Sequence, residues 1–286
     1  MKSALVTTQW LEQHLNDDKL IVLDASMEKV VGKSQLLYDT FSCIAGAKKL
    51  DLENELCDLT SKQTHAFPTV AQFIDIISGL GISQASQVVI YDNQGIYSSP
   101  RAWWIFKVMG FEHVYVLDGG LPRWLAEGRA TASRLSDSTL ADSVLGGASD
   151  LKVNVQDSWV CDSTYLLNKL SDKDISIFDA RGAARFSGQA PEPREGVRSG
   201  HIPNSVNLPF SQVLDGHGLK TTAELQQIFA GLASEQDSQR IFSCGSGITA
   251  CILILASVEA GYQYNVLYDG SWAQWGYDHQ LPIESY

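Results

Sequence analysis

Residues Arg240–Tyr262 read RIFSCGSGITACILILASVEAGY. The apolar pair Ile241-Phe242 runs into Cys244, a Gly-Ser-Gly turn follows, and a mostly apolar stretch then continues to Gly261. Glycines permit positive φ, so successive N–H groups in such a turn can point into one concavity. A strand that passes through a turn into a helix leaves its last residue at the carboxyl end of a sheet, where open α/β proteins bind ligands. Cys244 stands at that point. Cys251, inside the apolar stretch, reads as a core residue instead.

The same pattern occurs earlier in the chain. QHLNDDKLIVLDAS (Gln13–Ser26) matches NKLSDKDISIFDAR (Asn168–Arg181), and CIAGAKKL (Cys43–Leu50) falls where the other copy has HIPNSVNL (His201–Leu208). VVIYDNQG (Val88–Gly95) matches QRIFSCGSG (Gln239–Gly247), and LDGGLPRW (Leu117–Trp124) matches YDGSWAQW (Tyr268–Trp275). The chain is therefore a duplicated domain. The Ser-, Ala-, Gly- and Asp-rich segment Gly128–Asp150 lacks an apolar period and reads as a linker. The expected boundaries are 1–130 and 153–286, with 131–152 as the connection.

Within each copy, short apolar runs alternate with helix-length segments. ISIFDA, QRIFS and NVLYDG read as buried strands. Thr221–Leu232 reads as a helix opened by a Thr221/Glu224 capping box, and ITACILILASVEAG as a buried helix ended by Gly261. Such alternation predicts an α/β fold: two tandem domains, each a mostly parallel sheet with helices on both faces.

With 286 residues, 44% hydrophobic and 19% charged, the chain can bury a core in each copy. Its formal net charge of −12 and lack of a Lys/Arg cluster argue against nucleic-acid and anionic-membrane partners. The start has no apolar signal region, and no apolar run reaches the length of about 18 residues that a membrane span needs. A cytoplasmic monomer is expected. The five scattered cysteines and six isolated histidines predict neither a disulfide scaffold nor a metal site.

Two other readings of the cysteine turn are weak. Gly245–Ala250 fits a dinucleotide G-x-G-x-x-A pattern, but its twin in the first copy keeps only Gly95. A cysteine phosphatase needs an arginine six residues after the cysteine, where this chain has Ala250. The first copy has Asp92 in place of Cys244, so only the second copy carries a nucleophile.

CGSGIT (Cys244–Thr249), DARGAARFSGQAPEPREGVRSGHIPNSVNLPF (Asp179–Phe210), SSPRAWW (Ser98–Trp104) and YDGSWAQWG (Tyr268–Gly276) together resemble the two-domain rhodanese-like sulfurtransferases, over nearly the whole chain. Within that family the uncharged loop is most similar to those of 3-mercaptopyruvate sulfurtransferases, whereas thiosulfate enzymes usually carry basic loop residues. The resemblance implies Cys244 as the nucleophile that takes sulfur as a persulfide, and Ser246 as the residue that polarises or protonates the donor. It implies an N–H cradle from Gly245, Gly247, Ile248 and Thr249, and donor binding by Arg185 and Arg194, whose planar forks suit a carboxylate. No cofactor is implied, and the acceptor would be cyanide, a small thiol or a reduced thioredoxin. The rival readings are a thiosulfate:cyanide sulfurtransferase and a non-catalytic binding module. His201 is expected to anchor a loop, and Trp103-Trp104 to pack in the core or between domains. His65 falls where the family has a histidine proposed to join a serine relay. Its acidic partner is ambiguous among Asp51, Glu53 and Asp58, so His65 is placed outside the catalytic set. The first copy lacks the family's His-Ile-Pro-Gly-Ala, reading CIAGA, and lacks the arginine in DASMEKV.

Overall fold

The computed structural model describes residues 3–136, 151–232 and 239–286. The first half contains strands β1 (Leu5–Val6), β2 (Leu20–Asp24), β3 (Cys43–Ile44), β4 (Lys48–Lys49), β5 (Gln87–Tyr91), β6 (Val114–Leu117) and β7 (Thr131–Ala132). Its helices are α1 (Thr8–His14), α2 (Val70–Gly79), α3 (Ser99–Val108) and α4 (Gly120–Ala126). The second half contains β8 (Val160–Cys161), β9 (Ile175–Asp179), β10 (Ser205–Asn207), β11 (Leu214–Asp215), β12 (Gly218–Leu219), β13 (Gln239–Ser243) and β14 (Asn265–Tyr268). Its helices are α5 (Ser163–Lys169), α6 (Ala183–Phe186), α7 (Thr222–Ala230), α8 (Ala250–Glu259) and α9 (Ser271–Trp275).

Each half builds a five-stranded sheet, in the orders β1-β6-β5-β2-β4 and β8-β14-β13-β9-β10. The two orders are the same when the copies are matched, and every pairing in these sheets is parallel. Register repeats as well: Asp24 lies opposite Tyr91 in the first half, and Asp179 opposite Ser243 in the second. Asp92 and Cys244 are thus the equivalent residues that leave the central strands. The Thr221/Glu224 capping box is present, and Thr69/Gln72 forms its counterpart on α2.

Helix α8 is apolar on all sides and nearly all of its side chains are buried. Such a helix is stable only when it is covered all round. Its own domain covers it with α7, β13 and β14, and α3 of the first half completes the cover, so the two domains share one central core that includes Trp103, Trp104, Leu253 and Leu255. Trp104 stacks on Trp159 at 5.3 Å, in keeping with the packing role expected for the tryptophan pair. Smaller apolar layers cover the outer face of each sheet.

The described residues at and next to both ends of the expected linker pack on the fold. Thr131–Ala132 pairs antiparallel with Cys43–Ile44, and the Ser136 N–H donates to the Ala47 carbonyl at 2.8 Å. At the other end the Gln156 N–H donates to Val108, while Leu151, Val153 and Val155 pack on the shared core. A two-residue strand shows no periodicity, which is why its start read as linker. The rest of that reading, residues 137–150, lies outside the described residues. No helix among the described residues is long and apolar enough to cross a membrane.

Candidate active site

Strand β13 delivers Cys244 to the junction of the halves, where the thiol residue is only 1% exposed. Helix α9 and the residues before it hold the loop from below. Ser271 Oγ accepts the Cys244 N–H at 3.1 Å, and the Cys244 and Gly245 carbonyls accept the Trp272 and Ala273 N–H groups, each at 2.9 Å. Gly247 takes φ +82°, which turns the chain before α8 begins. With the carbonyls committed below, the N–H groups of Gly245, Ser246, Gly247, Ile248 and Thr249 are left without a protein acceptor among the described residues. Unpaired donors gathered at a helix N-terminus form a site for an anion.

The first half shows such a cradle filled. The Asp92 carboxylate is fully buried and accepts the N–H groups of Gln94, Tyr97, Ser98 and Ser99 at 2.9–3.0 Å, together with the Ser99 hydroxyl at 2.7 Å. One copy of the loop thus contains its own anion, and the other presents the same donors beside a thiol.

A cavity of about 170 Å³ opens over Cys244. Its walls include Ser246, Thr249, Arg185 and Arg194 from the second half and Met27, Lys29, Glu53 and His65 from the first. Pockets for drug-sized ligands run from about 300 Å³ upwards, so this space suits a small donor and excludes a dinucleotide. Both arginines converge on the loop: a methyl group added to Gly245 would lie 3.3 Å from Arg185 Nη2 and 4.0 Å from Arg194 Nη1. Arg185 also grips Glu192, through Nη2 and through Nε at 3.1 Å, whereas Arg194 forms no ion pair among the described residues.

His65, placed outside the catalytic set on sequence, contacts the loop. Its Nδ1 lies 3.0 Å from Ser246 Oγ, so the first half reaches across the junction and touches the loop. Burial, followed by the nearby Arg101 and Arg194 guanidiniums, pushes the imidazole down to about 4. None of the three candidate acids bonds to it. Asp51 is taken up by Lys49, Asn54 and nearby N–H groups, Asp58 caps Thr60, and Glu53 accepts a long 3.4 Å bond from Glu28. The residue is held through its backbone instead: Arg101 Nη2 donates to the His65 carbonyl at 2.7 Å and pairs with Asp269 at 2.8 Å. The other Asp269 oxygen accepts the Phe67 N–H at 2.9 Å and the Gln63 amide. Sequence reading missed Arg101 and Asp269; the available signal was a cation inside the apolar run SSPRAWW.

The remaining assignments keep to structural roles. His201 is buried, directs Nδ1 to the Phe186 carbonyl at 2.8 Å and stacks on the Phe186 ring. Cys251 is buried in α8 behind the loop, and burial pushes its thiol up to about 12.

Comparison with known proteins agrees with this geometry. The rhodanese-like domain model matches twice, at residues 7–127 and 162–278. The chain is 35% identical to the 3-mercaptopyruvate sulfurtransferase of Rattus norvegicus, over 95% of this chain and 91% of that protein. It is 33% identical to the 3-mercaptopyruvate sulfurtransferase of Escherichia coli, covering 98% and 97%. The thiosulfate/3-mercaptopyruvate sulfurtransferase 1 of Arabidopsis thaliana is 36% identical over 98% of this chain and 78% of its own. The crystal structure of the Escherichia coli 3-mercaptopyruvate sulfotransferase SseA superposes with a TM-score of 0.77 at 30% identity, covering 95% of this chain and 99% of that one. A domain matched in both halves and relatives matched along almost the whole length place the chain among the two-domain rhodanese-like sulfurtransferases.

Proposed function

We propose that the protein moves sulfane sulfur from 3-mercaptopyruvate to Cys244, and from Cys244 to an acceptor thiol or cyanide. The observation that carries this reading is the pair of equivalent cradles, one closed around the Asp92 carboxylate and the other open beside a thiol. The open cradle offers five N–H groups to an anionic sulfur, which is the form taken by both the attacking thiolate and the persulfide.

The donor carboxylate and keto oxygen lie against Arg194 and the free edge of Arg185, which aims the donor sulfur at Cys244. The thiolate attacks that sulfur, and the carbon–sulfur electron pair passes to the methylene carbon, giving the enolate of pyruvate. The guanidiniums stabilise this enolate as its charge develops. The proton of the donor thiol must then reach the enolate carbon. Ser246 passes it, and neutral His65, 3.0 Å from the Ser246 hydroxyl, accepts and returns it. Pyruvate leaves and Cys244 keeps a persulfide anion, so atoms and charge balance without a cofactor. The acceptor then attacks the outer sulfur and restores the thiolate.

The test is an intact mass after incubation with 3-mercaptopyruvate or with thiosulfate, with Cys244→Ser alongside. The expected result is a gain of one sulfur from 3-mercaptopyruvate, released by dithiothreitol and absent in the variant. Loading from thiosulfate alone would reassign the donor. Loading from neither would turn the reading towards a binding module.

A further inference from the structure

Behind the donor side of the cavity lies a chain of charges that the two expected arginines do not account for, of which Arg181 and Arg185 reach the cavity wall. Arg181 is buried, lies 4.4 Å over the Trp272 ring, and bonds Asp179 Oδ2 at 2.7 Å and Glu192 Oε1 at 2.8 Å. Glu192, whose side chain is 3% exposed, also takes the Arg185 fork. Asp179, Arg181, Glu192 and Arg185 therefore alternate in sign and cancel. On the facing wall Lys29 and Glu53 offset each other in formal charge. His65 is neutral. What remains is Arg194, a half-buried cation with no carboxylate at ion-pair distance among the described residues.

We infer that Glu192 limits the donor site to one uncompensated positive charge and thereby selects a monoanionic sulfur donor over a dianionic one. A 2-oxo acid thiol brings a single carboxylate, which Arg194 balances. Thiosulfate brings two negative charges, and the arginine that would balance the second is already engaged by Glu192. Because the interaction energy is proportional to charge, each unit of charge in the wall acts twice as strongly on a dianion as on a monoanion. The loop Cys244–Thr249 has no basic side chain and so adds no second positive charge, which leaves the charge balance to the residues of the wall. The inference rests on the sulfurtransferase reading above and names the residue that sets its donor class.

Glu192→Gln removes the charge while keeping an acceptor for both arginines, and Glu192→Asp keeps the charge while moving it. For each, kcat/KM is measured with 3-mercaptopyruvate and with thiosulfate, cyanide being the acceptor. Affinities for pyruvate and for sulfate, which carry no transferable sulfur, are measured by calorimetry. Glu192→Gln is expected to raise the thiosulfate-to-mercaptopyruvate ratio by about tenfold, with the sulfate-to-pyruvate affinity ratio rising in step, while Glu192→Asp leaves both ratios within about twofold. Arg194→Gln, at its half-buried loop position, subtracts a charge and is expected to move both ratios the other way, which keeps the test decisive should Glu192→Gln not fold. Ratios that stay fixed in the charge-changing variants, or that move equally in Glu192→Asp, overturn the inference. If the wild type loads sulfur from neither donor, the functional reading fails, and the sulfate and pyruvate affinities still decide the role of Glu192.

Discussion

Replacing Asp269 with Asn tests whether the first half organises the site. Arg101 is 2% exposed and Asp269 11% exposed in their side chains, and their 2.8 Å contact joins α3 of one domain to the end of β14 of the other. Asparagine is isosteric, yet it can offer only one acceptor oxygen. Turned to the Phe67 N–H, that oxygen leaves an amide group against the Arg101 guanidinium. Removing one partner of a buried ion pair costs about 3–5 kcal/mol. The lower end, about 3 kcal/mol, applies here because Asp269 has some access to water and Arg101 keeps the His65 carbonyl. The kinetic effect follows from the same atoms. Asp269 and Arg101 pin residues 63–67, and this loop carries His65 to Ser246. Losing a positioned proton-transfer partner costs at least about a hundredfold in the step it serves. Single-turnover sulfur loading by rapid quench should fall by that factor at an unchanged donor KM, because Arg185 and Arg194 do not touch Asp269. Urea unfolding should show the stability loss in parallel. In a Ser246→Ala background the Asp269→Asn change should slow loading little further, since the contact it protects is already gone. A variant within about 0.5 kcal/mol of wild-type stability that loads at the wild-type rate would refute the role of the clamp.

Two further outcomes follow from the geometry. Asp92→Asn leaves the first-half cradle without its anion and should lower unfolding stability by about 3 kcal/mol in urea, with sulfur loading on Cys244 unchanged. His65, pushed down to about 4, stays neutral as pH falls from 7 through the ordinary histidine range, so loading should show no inflection near 6.5; over the same interval the unfolded chain takes up a proton that the native protein refuses, and unfolding stability should fall as pH drops from about 6.5 towards 4. An inflection near 6.5 that vanishes in His65→Gln would overturn this account of the imidazole.

The sheet, the duplication and the place of Cys244 were legible because they rest on local signals. The apolar runs Ile175–Asp179 and Gln239–Ser243 are strands by length and composition, and Thr221/Glu224 caps a helix by direct contact across three residues. What was not legible depends on the docking of one half against the other. His65 meets Ser246 only because Asp269 and Arg101 draw its loop across the junction. In the sequence, Arg101 resembles any helix cation and Glu192 any acid in a Pro-rich loop. Burial gives each its meaning: both sit against partners distant along the chain or across a loop, where an uncompensated charge could not persist. The two-residue strand β7 failed for the opposite reason, having too few residues to show a period.

The inactive half is more than a lid on the active one, because the exchange of loops runs in both directions. His65 and His217 each precede a helix-capping threonine, Thr69 and Thr221, by four residues. Two residues after each histidine an N–H crosses to the other half, Phe67 to Asp269 at 2.9 Å and Leu219 to Asp118 at 3.3 Å. Each domain therefore lays a histidine loop on the cradle of its partner. Only one of these encounters has room for chemistry. In the first half, Gly95 is pressed so close to the His217 backbone that a methyl group there would lie 2.5 Å from its carbonyl oxygen, and the Gln94 side chain is tied to both backbone groups of Leu36. Asp92 fills the cradle beneath. In the second half the small Ser246 and N–H groups without an acceptor among the described residues leave a cavity over the thiol, and His65 reaches its rim. A separated second domain would keep Cys244, Arg185 and Arg194 but lose His65, Arg101 and the α3 cover of its most apolar helix. The duplicated chain acts as one catalytic unit because its site lies at the joint.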